Sequence, residues 1–125
     1  MKKRNRIWYP SVNQIVKYNK FMIDRFRATK AEKHEVLRRK IIEDSIKQTK
    51  QFPGNIKDKA AILVRTMQYH PFGSANRRTA YFVMNKFLYK NAGYMIAKKK
   101  QRGREFMRKI RKGEMTHSDI VQEIS

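Results

Sequence analysis

Residues 70–93 read HPFGSANRRTAYFVMNKFLYKNAG, and this stretch joins a loop to the most clearly marked helix of the chain. The residue before a proline disfavours helical backbone angles, so we expect the His70–Pro71 step to interrupt the preceding helix. From Asn76 onward the apolar positions follow helical spacing, at Ala80, Val83, Met84, Phe87 and Leu88. Gly93 suits a left-handed cap at the helix end. The sequence predicts a helix from Asn76 to about Gly93, and we expect it to be the central, most buried one.

Three further helices are predicted upstream of this stretch. An apolar stripe indicates a first helix near residues 11–27. Mixed three- and four-residue steps begin at Val36 and stop at the turn residues 52–55, which predicts a second helix between them. A third stripe begins at Ile56 and runs into the break at His70–Pro71. The chain before the loop is therefore expected to be largely helical.

The segment after Gly93 is strongly basic and is followed by a well-marked helix start. One amphipathic helix is predicted in the basic run 98–112, and Gly113 should end it. Its apolar face is expected to comprise Phe106, Met107 and Ile110. Thr116 and Asp119 have the spacing of a capping box, which predicts one last helix.

The length and composition allow one folded domain. The chain has 125 residues, of which 40% are hydrophobic, enough for a core. No strand pattern is convincing, so we predict an all-α fold, a single compact bundle of five or six helices over residues 1–125. There are no cysteines, which excludes disulfides, thiolate zinc sites and cysteine nucleophiles. No apolar run reaches the roughly 20 residues of a membrane span, and we expect a cytoplasmic protein.

The charge balance points to an anionic partner. The chain has 31 Lys plus Arg against 10 Asp plus Glu, a formal net charge of +21. Such an excess attracts polyanions. Nucleic acid, nucleotides, an anionic membrane surface and an acidic protein are all compatible with this charge.

The loop before the helix carries the residues with the clearest chemistry. Gly73, Ser74 and Ala75 are small, so a ligand can approach the backbone. The free N–H groups at the start of the following helix favour an anion, and phosphate is the natural one. Asn76 can cap the helix or bond the anion, and His70 is the only nearby side chain of a type that serves as a base at neutral pH.

Three further loop residues complete this picture. Arg77 and Arg78 add positive charge beside the expected anion. Phe72 is expected to point inward and to anchor the loop.

Of the other histidines, His34 lies in a charged stretch and His117 at the last helix, and both are expected at the surface.

At these residues the sequence resembles the Fic/Doc superfamily. The loop reads H-P-F-x-(D/E)-G-N-G-R-x-x-R in Fic proteins and H-x-F-x-D-A-N-K-R in the Doc (death-on-curing) branch. The Doc pattern is closer, because Ala75 and Arg77 stand where Fic proteins have glycines and Tyr81 replaces their second arginine. The resemblance implies a toxin of a toxin–antitoxin pair that transfers the γ-phosphate of ATP to a hydroxyl of a translation elongation factor.

The resemblance also implies a role for each loop residue. His70 matches the histidine that deprotonates the target hydroxyl, and Gly73, Ala75, Asn76 and Arg78 belong to the segment that holds the nucleotide phosphates. Arg77 matches the Doc lysine, a long cation thought to turn the nucleotide so that it presents its γ-phosphate. A kinase is therefore favoured over a Fic-type adenylyltransferase, which is the alternative enzyme.

Ser74 departs from the family pattern. It stands where the family has an acidic residue that binds Mg²⁺, and a neutral hydroxyl removes a full charge from a site for a hard cation. Serine hydroxyls do bind Mg²⁺ in P-loop enzymes. Weakened catalysis, an altered metal dependence and a catalytically degenerate scaffold that acts as a basic binding module are the alternatives.

The basic run 98–112 has several interpretations. It can be a solvated face, a dock for an acidic antitoxin, an approach to tRNA or the ribosome, or a site for weak, nonspecific nucleic-acid binding. The family's autoinhibitory motif, (S/T)-x-x-x-E followed by Gly or Asn, is missing after Thr116 and Ser118. Inhibition is therefore expected from an antitoxin in trans.

Overall fold

The computed structural model describes residues 6–26, 30–96 and 100–125. These residues form six helices: α1 (Val12–Phe26), α2 (Arg39–Gln51), α3 (Ile56–Thr66), α4 (Asn76–Ala92), α5 (Lys100–Arg111) and α6 (His117–Glu123). The all-α prediction is confirmed, since extended pairing within the described ranges is limited to one bridge between Val36 and Phe72. Residues 27 and 98–99, where the first helix and the basic run were predicted to end and begin, lie outside these ranges. No described helix is long and apolar enough to cross a membrane.

The most buried helix is α3, so the expectation that α4 holds this place is wrong. Seven of the 11 residues of α3 are buried, against six of the 17 in α4. The reason is the number of neighbours, because α3 packs against α2, α4 and α6 whereas α4 packs mainly against α1 and α3. The first residues of α4, Asn76, Arg77 and Arg78, are half-buried.

Helix α2 begins at Arg39 and not at Val36. The preceding residues are not helical and bond the loop instead, since the N–H groups of Leu37 and Arg38 both donate to the Pro71 carbonyl, at 2.9 and 3.0 Å. The Gly73 N–H in turn donates to the Glu35 carbonyl at 2.9 Å. Segment 35–38 is therefore a short support for loop 70–75.

The helix ends follow the local signals closely. The capping box of α6 is present, with the Asp119 N–H donating to Thr116 Oγ1 at 3.1 Å and the Thr116 N–H to Asp119 Oδ2 at 2.9 Å. Helix α4 ends at Gly93, which has a left-handed φ of 76°. Both features were predicted because they depend on residues close together in the chain.

Helix α5 presents the predicted apolar face to the core. Its buried side chains are Phe106, Met107 and Ile110. They join a single core cluster that also includes Ile120 and Ile124 from the C-terminal segment. This packing fixes which side of α5 its basic residues occupy.

Candidate functional site

A cleft of about 870 Å³ opens in front of the N-terminus of α4. Its walls are the end of α1 with Met22 and Phe26, loop 70–75, the first turns of α4 and one face of α5. A volume in this range is typical of pockets for small molecules and cofactors. The structure thus brings the predicted residues His70, Gly73, Ser74, Ala75, Asn76, Arg77 and Arg78 to one cleft. The exception is Phe72, which is 1% exposed and lies in the core as predicted.

The loop is held in an unusual backbone conformation. His70 and Ala75 both have a positive φ, 58° and 61°. Non-glycine residues rarely adopt this region, and each such residue costs on the order of 1–3 kcal/mol. Backbone strain of this kind persists only where the surrounding contacts impose it. Ala75 also leaves α4 without a side-chain cap.

Asn76 supplies the contacts that close the loop. Its Oδ1 accepts from the Phe72 N–H at 2.9 Å, and its Nδ2 donates to the Phe72 carbonyl at 2.9 Å. Its Nδ2 also lies 3.3 Å from His70 Nδ1, a long contact to an exposed ring. In this conformation Asn76 shapes the loop and orients His70, and both of its amide atoms are engaged by Phe72.

The two loop arginines differ in their partners. The Arg78 guanidinium donates to Glu32 Oε1 at 2.6 Å and to the Phe26 carbonyl. Arg77 has no ion pair within the part of the chain that the structure describes. Of the two arginines in the first turn of α4, Arg77 is therefore the one available to bind an anion. Arg78 forms an ion pair with Glu32 that holds the start of α4.

The cleft does not fit an Mg²⁺ ion held by the protein. Among the described residues that line it there is no carboxylate but there are four arginines, at positions 77, 78, 104 and 111. The Ser74 hydroxyl accepts from the Lys33 N–H at 3.4 Å. Mg²⁺ is bound in proteins through carboxylates together with substrate phosphates. The described residues also contain no cluster of acidic and histidine side chains that could hold a metal ion.

Asn19 of α1 is a support for the loop that the sequence reasoning missed. It is fully buried, and its Nδ2 donates to the Ser74 carbonyl at 2.9 Å and to Thr79 Oγ1 at 3.0 Å. Its Oδ1 lies 2.8 Å from Nδ1 of His34. The available signal was its position, since Asn19 stands four residues from both Ile15 and Ile23 in the buried stripe of α1.

Both remaining histidines are half-buried, so the expectation of surface residues holds only in part, and each ring is also held by a side chain that the sequence did not indicate. His34 is held by Asn19, as described above. His117 Nε2 lies 3.0 Å from Asp58 Oδ1, where α3 meets α6, and is not among the residues of the cleft. The hydrogen bond from His117, followed by that from the Asn55 N–H, lowers the pKa of Asp58. Each histidine was misjudged because its partner is distant in sequence.

One face of α5 forms the far wall of the cleft, which the sequence reasoning did not predict. Arg104, Met107 and Arg111 line it, at the three- and four-residue steps of a single helix face. Partial burial and then the positive charges of Arg111 and Arg104 lower the pKa of Arg77. Arg104 and Arg111 therefore both lie close enough to the Arg77 guanidinium to repel it.

Gln68 lies at the cleft, and its buried side-chain amide lacks hydrogen-bond partners among the described residues. It is 3% exposed, and neither Oε1 nor Nε2 has a hydrogen-bond partner among the described residues. An unsatisfied buried polar group costs about 1–3 kcal/mol. Gln68 also counts among the residues that line the cleft. Its carboxamide is thus a candidate contact for a bound ligand.

Replacing this carboxamide should stabilise the free protein. Gln68→Met keeps the length of the side chain and removes both unsatisfied atoms, so we expect the free energy of unfolding to rise by about 1–3 kcal/mol. Urea denaturation measures this change. Gln48→Met, at an exposed position of α2, is the control and should change stability by less than about 0.5 kcal/mol. A destabilised Gln68→Met protein would contradict the assignment of an unsatisfied amide.

No protein-family model matches the chain, and no curated protein matches it in sequence. The Fic/Doc resemblance therefore depends on the loop residues quoted above and stays a prediction.

Proposed function

We propose that the protein is an ATP-dependent phosphotransferase of the Doc type, which moves the γ-phosphate of ATP to a hydroxyl group of a protein. The observation that carries this proposal is the position of His70, at the cleft that also receives the uncapped start of α4 and Arg77. An elongation factor as the substrate and an antitoxin as the inhibitor belong to the same proposal.

The start of α4 suits the phosphate groups. The first N–H groups of a helix have no intrahelical partner, and the helix dipole favours an anion there. A side-chain cap would compete for these groups, but the N-cap residue is Ala75, one of the poorest capping residues. Helix α4 has 17 residues, so its dipole is fully developed. This geometry favours phosphate binding at the mouth of the loop.

The proposed transfer uses three groups. His70 removes the proton from the attacking hydroxyl while the oxygen bonds to the γ-phosphorus, and the bond from that phosphorus to the bridging oxygen breaks. Arg77 and the N–H groups of α4 stabilise the charge that develops on the phosphoryl oxygens and on the departing ADP. The long 3.3 Å contact to Asn76 loosens when the ring turns its lone pair to the hydroxyl.

Labelled ATP tests the reaction. The purified protein is incubated with a cell lysate and with ATP labelled at either the γ or the α position. We expect protein-bound label from γ-labelled ATP only, because Arg77 stands where it favours presentation of the γ-phosphate. Label from α-labelled ATP would show nucleotidyl transfer and would contradict the proposal.

The second candidate is a basic binding module without catalysis. It is favoured by Ser74 at the position of the expected acid and by the carboxylate-free cleft. In that case neither label is transferred, and RNA or duplex DNA binds with submicromolar affinity at about 150 mM salt, where the Debye length is about 8 Å. The catalytic proposal expects only weak nucleic-acid binding at this salt.

A further inference from the structure

Three arginines meet at the cleft without an acidic partner. Arg77 comes from α4, and Arg104 and Arg111 come from the facing side of α5. None of the three forms an ion pair within the described ranges. Arginine stays charged at neutral pH, so three positive charges share one partly enclosed space. An anion with several negative charges would neutralise these positive charges.

The spacing along α5 indicates the size of that anion. Arg104 and Arg111 are seven residues apart, which is about 10 Å along a helix axis. Two arginines spaced in this way along one helix can contact successive groups of a phosphate chain that extends along the helix. The fork-shaped guanidinium also matches phosphate oxygens in pairs.

The rest of the cleft suits a nucleoside. Met22, Phe26 and Met107 provide apolar and aromatic contacts in the same cleft as the arginines. A free polyphosphate would not use these contacts, and a nucleic-acid duplex would meet a concave wall and not an open surface. A small ligand with an apolar, ring-shaped part and a charged tail fits this combination.

We infer that Arg104 and Arg111 of α5, together with Arg77, bind the phosphate chain of a nucleoside triphosphate directly, without a metal ion held by the protein. This inference rests on the proposed function for the choice of ATP. It assigns to the basic helix a role in ligand binding that differs from a solvated face or a dock. Arg77 and Arg78 then have different roles: Arg77 binds the phosphate chain, whereas Arg78 forms an ion pair with Glu32.

A pair of matched double variants tests the inference. Calorimetry measures ATP binding in the presence of EDTA for the full chain, for Arg104→Gln/Arg111→Gln, and for Arg102→Gln/Lys112→Gln. The control removes the same charge near the same helix, from exposed residues that do not line the cleft. Charged hydrogen bonds of ordinary strength predict a loss of about tenfold per arginine, so about a hundredfold for the test pair. The control should lose less than about threefold, through the weaker long-range field alone.

Several results would overturn the inference. They are equal losses in both double variants, ATP binding that requires added Mg²⁺, AMP binding as tight as ATP binding, and no ATP binding by the unchanged protein. Loss of RNA binding with unchanged ATP binding in the test pair would also overturn it, in favour of a nucleic-acid surface.

The outcome is separable from that of the proposed function. If ATP binding falls in the test pair but no label is ever transferred, the arginine assignment stands and the phosphotransferase proposal fails. If transfer from γ-labelled ATP occurs and is unchanged in the test pair, the phosphotransferase proposal stands and the arginine assignment fails.

Discussion

His70→Asn should transfer label from γ-labelled ATP about 10²- to 10⁴-fold more slowly than the unchanged protein, because it removes the proposed base, which is the only histidine among the described residues that line the cleft. Stability should be preserved, since His70 is exposed and the hydrogen bond of its ring to Asn76 is long. Asparagine is preferred to alanine here because it tolerates the positive φ of 58°. Initial rates of transfer and the melting temperature are the two measurements.

His117→Asn is the matched control for this loss. It replaces a histidine at the contact between α3 and α6, outside the cleft, so transfer should be unchanged. Full transfer by His70→Asn with an unchanged melting temperature would show that His70 has no part in the reaction. That result would contradict the assignment of His70 as the base, but it would not contradict nucleotide binding at the cleft.

Phe72→Ala should lower the free energy of unfolding by about 3–5 kcal/mol, the range for a large buried aromatic side chain. The ring is 1% exposed within the main core cluster, so its removal leaves a cavity under the loop. Chemical denaturation measures the loss. Transfer should fall as well, because the backbone of Phe72 is the partner of both amide atoms of Asn76.

The comparison for Phe72 is an aromatic residue outside the main core. Phe21 is 45% exposed and contacts the ring of Phe82 with a centroid distance of 5.9 Å. Phe21→Ala should therefore cost about 1 kcal/mol, the value of an aromatic pair at the surface. Equal losses for the two substitutions would mean that Phe72 does not anchor the loop.

Much of the fold is encoded locally and could be predicted. The stripe of α4, the glycine at its end and the capping box of α6 depend on residues within a few positions of one another. The start of α2 could not be predicted in this way. Val36 continues the apolar pattern, but its backbone pairs with Phe72, and that competition is tertiary.

The same distinction between local and tertiary features applies to the candidate site. Its loop was predicted because chain neighbours form it, from His70 to Arg78. Asn19 and the cleft-facing side of α5 were missed, because only the packed fold brings them to the loop. Gln68 lies two residues before His70, but its burial without a hydrogen-bond partner among the described residues depends on the packing around it. The spacing of Arg104 and Arg111 on one helix face could be predicted from the sequence. Which face meets the cleft depends on how the apolar residues Phe106, Met107 and Ile110 are buried in the core.

The bonds that support the loop also determine when the site can exist during synthesis. Asn19 donates hydrogen bonds to Ser74 and Thr79, which lie 55 and 60 positions later in the chain. Glu32 accepts a hydrogen bond from Arg78, which lies 46 positions later. Contacts between such distant residues need both segments to have been synthesised, and they form at the entropic cost of closing the long loop between them. A nascent chain that ends before residue 70 contains the residues of α1 to α3 but lacks the loop, the start of α4 and the arginines of α5. The cleft can therefore form only after the chain through Arg111 has been synthesised, and a product truncated before residue 70 lacks it.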